Sequence, residues 1–183
     1  MNPCLLVLLQ SENEHGLTNQ SVAESWYETC SRLPYEKLVL YASEIDSGDL
    51  FSDGRFSKEL QSAGDEGFRI AEAFRTGFER GFERVVVLRG YYPELGPGHV
   101  VEAFERLLEN DAVCGPGDDG RYYLIGLKRF MPELFKGKEW SGNDVFLDTL
   151  IDLKSAGCAV AILDPLDASM AEHEGTGMSK SRF

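Results

Sequence analysis

The 183-residue chain is short of basic side chains. It has 18 lysines and arginines against 31 aspartates and glutamates, which gives a formal net charge of −13 at pH 7. Because an acidic body repels DNA, RNA and anionic membrane surfaces, this charge argues against all three as main partners. A small anionic ligand is not excluded, since a local group of basic side chains can hold one against the overall charge.

The chain also lacks the residue spacings that mark disulfide frameworks and metal sites. Its four cysteines lie far apart and form no Cys-x-x-Cys pair, so we interpret them as buried free thiols in a reducing compartment, the cytoplasm. Its three histidines have no ligand-spaced partner, which leaves zinc binding and histidine-based catalysis without support. These residues are Cys4, Cys30, Cys114 and Cys158, and His15, His99 and His173.

Long apolar runs are missing as well. No run approaches the roughly 20 residues that a membrane-spanning helix needs. The run over residues 4–9 has neither a basic flank nor a cleavage signal, so we interpret it as a core strand and not as a signal peptide. A hydrophobic content of 43% and a charged content of 27% are ordinary for a globular protein. We expect one domain over residues 1–170 and a polar, flexible tail over residues 171–183.

Apolar and amphipathic segments alternate along the chain. Continuous apolar runs predict strands buried on both faces, at residues 5–9, 37–41, 85–88, 112–115, 122–127 and 159–163. Amphipathic spacing predicts helices at residues 21–31, 67–80, 97–109 and 143–156. This order predicts a three-layer α/β/α domain with a mostly parallel sheet. The strand at 122–127 follows its predecessor by a short turn, so we expect it to run antiparallel or to bend away.

The helix over residues 67–80 has the clearest aromatic pattern. Aromatic and small apolar residues recur there at spacings of three and four, with charged residues between them. Such spacing predicts one buried stripe facing the sheet. The expected members of the stripe are Phe68, Ala71, Phe74 and Phe78.

The most informative stretch is the acidic turn Gly-Pro-Gly-Asp-Asp-Gly at residues 115–120. It places two carboxylates, Asp118 and Asp119, between two apolar runs, at the point where a strand ends. Open α/β sheets bind ligands at the carboxyl ends of their strands, so the turn predicts a ligand cleft. The two carboxylates then orient the ligand or act as a base; the alternative is that acidic residues merely suit a tight turn.

Four ordered motifs resemble a bacterial family of glycosyltransferase-like proteins with the nucleotide-diphospho-sugar transferase (GT-A) fold. Residues 64–69 resemble its Gly-Asp-Leu-Gly-Glu-Arg loop, and residues 85–95 its central strand followed by Gly-Ser-Asp-x-Pro-x-Leu. Residues 115–127 resemble Gly-Pro-Ala-x-Asp-Gly-Gly-Tyr-Tyr-Leu-Ile-Gly-Leu, and residues 134–141 resemble Leu-Phe-x-Gly-x-x-Trp-Ser. The resemblance covers about residues 60–167 and implies the GT-A fold.

The resemblance implies a cleft that binds a nucleotide-sugar or another small phosphorylated donor. Asp119 is its catalytic candidate, and Asp167 is the candidate ligand for the divalent metal, Mn or Mg, that the family uses. The substrate-binding candidates are Asp65, Arg69, Arg89, Tyr91, Arg121, Tyr122, Tyr123, Trp140 and Ser141. Structural alternatives stay open: Asp65 caps the helix that follows it, Trp140 is a packing residue, and strand alternation puts one of the two adjacent tyrosines in the core.

Departures from the family pattern fall on the chemistry. Tyr91 stands where the resemblance places the metal-binding aspartate, and a phenol is a poor ligand for a hard cation. The family's basic phosphate-binding loop near the N-terminus has no counterpart here. Arg89 and Arg121 replace glycines, and their guanidinium groups either bind a phosphate without metal or pair with Asp118, Asp119 or another carboxylate.

Two hypotheses of different classes follow. The first is a glycosyltransferase-like protein that acts on a nucleotide-sugar and whose metal site is degraded. The second is a catalytically inactive relative that binds a ligand or a protein partner, and the lost aspartate and basic loop favour it. The fold alone does not decide between them, because one fold supports many functions.

Overall fold

The structure, a computed structural model, describes residues 2–9, 19–52, 54–90, 92–140 and 142–168. The tail expected over residues 171–183 lies outside these ranges. The strands are β1 (Pro3–Leu9), β2 (Glu36–Tyr41), β3 (Ser57–Leu60), β4 (Arg84–Leu88), β5 (Ala112–Pro116), β6 (Tyr122–Leu127) and β7 (Val160–Ile162). The helices are α1 (Asn19–Cys30), α2 (Glu66–Glu79), α3 (Pro97–Glu109) and α4 (Val145–Ser155). Among the described residues, no helix is both long and apolar enough to span a membrane.

All seven strands join one mixed sheet in the order β3-β2-β1-β4-β6-β5-β7. Neighbours pair in parallel except at β6, which runs antiparallel to both β4 and β5. This confirms the predicted α/β class with its mostly parallel sheet, and it gives β6 the antiparallel direction. The parallel strands therefore end at one edge of the sheet, where β6 begins, and we call this side the carboxyl edge.

The two faces of the sheet build two separate cores. Strand alternation sends Leu5 to the core beneath α1 and α3 and Leu6 to the core beneath α2 and α4. Both side chains are fully buried, because β1 lies inside the sheet and is covered by helices on both faces. These layers give the predicted α/β/α arrangement.

The strand β3 has no counterpart among the predicted elements. Its sequence, Ser-Lys-Glu-Leu, contains no apolar run, and none of its residues is buried. An edge strand pairs on one side only and packs little, so it needs no apolar pattern to hold its place.

A polar cluster fixes the loop between β2 and β3. Lys58 donates from Nζ to a carboxylate oxygen of Asp49 and to Ser52 Oγ at 2.7 Å, and Tyr41 donates its hydroxyl to the other oxygen of Asp49. Burial alone raises the pKa of Asp49, but the hydrogen bonds from Lys58 and Tyr41 outweigh it and leave the pKa below its ordinary value. The cluster therefore favours the folded chain only while Asp49 is ionised.

The first prediction concerns acid stability. A depressed carboxyl pKa stabilises the fold above the unfolded value of about 3.9, and this contribution is lost as the pH falls through the lower native pKa. We expect Asp49→Asn to be less stable than the natural protein at pH 7 and to lose less stability between pH 5 and pH 3. Urea denaturation across this range measures both effects. Glu44→Gln, an exposed change in the same loop, is the control. If Asp49→Asn and the natural protein lost the same stability between pH 5 and pH 3, the prediction would be wrong.

The second prediction concerns two glycines that share the second position of a helix, Gly67 in α2 and Gly98 in α3. A Cβ on Gly67 would lie 2.3 Å from Trp140 Nε1 and 2.4 Å from the carbonyl oxygen of Phe135, whereas a Cβ on Gly98 would meet nothing within 4 Å. We expect Gly67→Ala to reduce the free energy of unfolding by about 1–3 kcal/mol through overpacking. We expect Gly98→Ala to leave it unchanged or to raise it by up to about 1 kcal/mol. Thermal denaturation separates the two, and equal effects would contradict the close approach of α2 to Trp140.

Candidate functional site

The carboxyl edge brings together the end of β4, the turn after β5 and the start of α2. Arg89 directly follows β4, and its guanidinium forms an ion pair with Glu66, the first residue of α2. The acidic turn joins β5 to β6, and an isolated bridge between Gly117 and Leu166 extends the pairing of β5 and β7 to the same level. Most of the site residues predicted from the sequence therefore lie on this edge.

Backbone contacts hold the acidic turn on two sides. Gly120 has φ +78°, and a Cβ there would lie 1.6 Å from the carbonyl oxygen of Asn143, so the position requires glycine. The N–H of Asp118 donates to the carbonyl of Leu166 at 3.0 Å, and its carboxylate accepts from the N–H of Ala168 at 2.8 Å. Asp118 thus ties the turn to the segment after β7.

Asp119 is held in one orientation by a tyrosine that sequence reasoning missed. Its Oδ1 accepts from the N–H of Arg121 at 3.0 Å and from the hydroxyl of Tyr92 at 3.1 Å. Burial, and then the charge of Asp119, raise the pKa of Tyr92, so the phenol stays protonated and keeps donating. The positive charges of Arg89 and Arg121 partly offset this rise in the pKa of Tyr92.

Arg89 is a buried cation on the face of the sheet that carries α2. Its side chain is 5% exposed, and its guanidinium lies 5.0 Å from the ring centroid of Tyr122 and 5.8 Å from that of Trp140. Glu66 pairs with Nη2, while Nε and Nη1 have no hydrogen-bond partner among the described residues. The carboxylate partner is thus neither Asp118 nor Asp119.

The first turn of α2 carries three of the groups at the edge. Asp65 caps the helix, because its Oδ1 accepts from the N–H of Phe68 at 2.8 Å. Glu66 follows, and its negative charge suits the positive end of the helix dipole. Arg69 is half-buried one turn further along. Sequence reasoning missed Glu66, although its place in the Gly-Asp-Glu-Gly loop before a helix was a usable signal.

Tyr122 and Tyr123 are both fully buried and point to opposite faces of the sheet. Strand alternation led to the expectation that one of them lies in the core, and both do, because β6 is flanked by strands and covered by helices on both faces. The hydroxyl of Tyr123 donates to the carbonyl of Asp164 at 3.0 Å. The hydroxyl of Tyr122 is buried and meets no hydrogen-bond geometry among the described residues, but it lies close enough to Arg89 for that interaction to lower its pKa against the larger rise from burial.

Trp140 packs under the start of α2. It is 9% exposed, stacks on Phe135 at 6.4 Å and meets Tyr122 edge-on at 6.5 Å. Trp140 therefore packs between α2 and the sheet, on the same face of the sheet as Arg89. The two remaining substrate-binding candidates, Tyr91 and Ser141, lie outside the described residues.

The divalent metal that the resemblance implies does not fit the described residues. Among them, no three His, Cys, Asp or Glu side chains converge as a ligand group. The end of β4 presents the guanidinium of Arg89, a positive charge that repels a cation. Asp119 is engaged by Tyr92 and Arg121, and Asp167 is half-buried with an interaction of its own.

Solved structures share this fold. A putative nucleotide-diphospho-sugar transferase from Desulfovibrio desulfuricans G20 is 24% identical, with a TM-score of 0.77 over 91% of this chain and 82% of that one. A 4-diphosphocytidyl-2C-methyl-D-erythritol synthase from Anaerococcus prevotii is 14% identical, with a TM-score of 0.64 over 92% and 88%. Glucosyl-3-phosphoglycerate synthase from Mycobacterium tuberculosis, with Mg²⁺ and UDP, is 13% identical, with a TM-score of 0.58 over 91% and 69%. At such identities the likeness establishes the nucleotide-diphospho-sugar transferase-like fold.

Sequence comparison gives the family. No curated protein matches the chain. A family model matches residues 28–142, which is more than half of the chain and includes the α2 loop, the end of β4 and the acidic turn. The chain belongs to the bacterial family DUF2064, described as "uncharacterized protein conserved in bacteria".

Proposed function

We propose that this protein binds a nucleotide-sugar, or a similar small phosphorylated donor, at the carboxyl edge without a divalent metal. The observation that carries the proposal is the buried Arg89 cation, which stands at the end of β4 where a metal-dependent relative would need carboxylates. The similar structures support the ligand class. They include enzymes solved with UDP and Mg²⁺, with GDP-mannose and Mn²⁺, and with CTP.

In this proposal the arginines and the aspartate bind different parts of the ligand. Arg89, Arg121 and Arg69 provide positive charge for the phosphates, since a guanidinium matches phosphate oxygens in a bidentate way. Asp119 accepts hydrogen bonds from sugar hydroxyls, because an ionised carboxylate has lone pairs beyond those that Tyr92 and Arg121 occupy. Trp140 and Tyr122 act on the ligand through Arg89, whose position they hold.

The remaining candidate residues are proposed to have supporting roles. Tyr91 and Ser141 stay proposed substrate-binding residues on the strength of the resemblance alone. Asp65 contributes as the cap that orders the start of α2, and Asp167 is not proposed as a metal ligand. Tyr123 holds the turn by its hydrogen bond to the segment after β7.

A second candidate function is a non-catalytic binding protein of the same fold. The observation that favours it is the absence of any three-carboxylate group among the described residues, which removes the usual neutralisation of a diphosphate leaving group. We separate the two candidates by incubating the protein with the nucleotide-sugar that binds and following its hydrolysis, in which water accepts the sugar and the nucleoside diphosphate is released. Binding with turnover supports the transferase, and binding without any release supports the second candidate.

We also propose that the protein works in the cytoplasm. Its four cysteines are free and buried. Burial raises the pKa of the Cys4, Cys30 and Cys114 thiols to about 12, so none of these three forms a reactive thiolate at neutral pH. Free thiols without a disulfide framework are typical of reducing compartments.

The third prediction tests metal-free binding by calorimetry. UDP-glucose and GDP-mannose are titrated into the protein in EDTA, and then with Mg²⁺ or Mn²⁺. We expect one of them to bind in EDTA, with an affinity that metal leaves unchanged within about twofold, because Arg89 already supplies the positive charge. Binding that requires the metal would contradict the proposal. No binding under either condition would overturn it for these two donors and favour the second candidate.

The fourth prediction concerns Asp119. A hydrogen bond to a charged group contributes about 1.5–3 kcal/mol, so Asp119→Asn should weaken the nucleotide-sugar that binds by at least about tenfold. The corresponding nucleoside diphosphate, which lacks the sugar, should bind both proteins alike. Asp148→Asn, an exposed change on α4 that removes the same charge, is the control. An equal loss for both ligands would show that Asp119 does not act on the sugar.

A further inference from the structure

The ion pair between Arg89 and Glu66 leaves most of the guanidinium unused. Glu66 accepts from Nη2, while Nη1 and Nε are buried and meet no partner at hydrogen-bond geometry among the described residues. The hydroxyl of Tyr122 is a polar neighbour of the guanidinium, and its interaction with Arg89 lowers the pKa of that phenol against the larger rise from burial. A guanidinium usually meets an oxyanion with two parallel N–H groups. The pair is therefore incomplete, and Arg89 retains the capacity to bind a second oxygen.

Glu66 occupies a place that favours anions in general. It is the first residue of α2, a helix of 14 residues, and the positive end of that helix attracts negative charge. The next residue, Gly67, brings the helix so close to Trp140 that a Cβ would lie 2.3 Å from Nε1. The start of α2, Arg89 and the ring of Trp140 thus surround one site, and the anion within it is the carboxylate of Glu66.

The two members of the pair differ in their access to solvent. The side chain of Glu66 is 20% exposed, whereas that of Arg89 is 5% exposed. Glu66 has rotatable bonds and can move outward while Arg89 stays between Tyr122 and Trp140. Its movement would open a site that already holds a cation and a helix N-terminus.

We propose that Glu66 is a built-in competitor that occupies the phosphate site while no ligand is bound. A phosphate or diphosphate group displaces the carboxylate, takes Nη2 and the unused Nη1 of Arg89, and lies against the first turn of α2. The inference rests on the proposed function. It adds that the phosphate is the part of the ligand bound here, that Arg89 binds it, and that the ion pair between Arg89 and Glu66 must break first. No metal takes part, because Arg89 and the helix supply the positive charge.

The competition has a measurable consequence. A ligand that must first displace Glu66 binds with a reduced apparent affinity. The affinity of the open site is multiplied by the fraction of molecules in which the site is open. Glu66→Gln removes the competing charge and keeps the size of the side chain, so the site should open. We expect inorganic pyrophosphate, titrated in EDTA, to bind Glu66→Gln at least about tenfold more tightly than the natural protein.

Two control variants make the test specific. Glu79→Gln removes the same charge from the exposed end of α2, so it reports the general effect of a less acidic protein, and we expect less than about a twofold change. The double variant Glu66→Gln with Arg89→Met removes both charges, which leaves no unpaired buried cation. It should fold, as circular dichroism would show, and lose the gain in pyrophosphate affinity.

Thermal denaturation gives a second readout, because a ligand that binds only the folded protein raises its Tm. Pyrophosphate should raise the Tm of Glu66→Gln more than that of the natural protein. Should Glu66→Gln fail to fold because Arg89 loses its charge partner, Glu66→Asp takes its place in both measurements, since it keeps the charge and shortens its reach to Nη2. Equal pyrophosphate affinity in the Glu66 variant and the natural protein overturns the inference, even where the natural protein binds a nucleotide-sugar. A tighter Glu66 variant supports it, even where the natural protein binds no nucleotide-sugar and the proposed function fails.

Discussion

The antiparallel insertion of β6 between β4 and β5 determines what lies at the carboxyl edge. Because β6 runs against its neighbours, the turn that leads into it lies beside the end of β4 and not at the opposite side of the sheet. The same reversal starts β6 at this edge, so that Tyr122 forms a wall for Arg89 on one face and Tyr123 supports Tyr92 on the other. A parallel β6 would need a long crossover and would separate these groups.

The sequence predicted the central elements well and the peripheral ones poorly, for a physical reason. Buried strands need apolar side chains on both faces, so their runs stand out, whereas the edge strand β3 needs none. In α2 the pattern identified the helix and most of its buried stripe: Phe74 is buried, and Ala71 and Phe78 pack against the core. Phe68, however, is 47% exposed, and the buried face also includes Gly67 and Gly77, where a Cβ would lie within 3 Å of Trp140 and of Val85. A hydrophobic pattern cannot register a contact that glycine makes by having no side chain.

The partners at the candidate site were harder to predict than its location. The acidic turn indicated a cleft at a sheet end, and its carboxylates were natural partners for Arg89. The observed partner, Glu66, comes 23 residues earlier and meets Arg89 only because α2 starts at the same edge. The partner of Asp119 is Tyr92, next to the residue that the resemblance singled out. Such pairings depend on side-chain direction after a strand ends, which residue spacing does not encode.

A buried cation in a protein of net charge −13 has a consequence for binding. Moving a guanidinium out of water is costly unless a charge and hydrogen bonds compensate it. Here the carboxylate of Glu66 and the ring faces of Tyr122 and Trp140 compensate it in part. A fold under no constraint at the edge could replace both partners with apolar side chains and lose no stability. The anion proposed above would complete the pairing of Arg89 where the strands end. While no ligand is bound, the carboxylate of Glu66 balances the positive charge of Arg89.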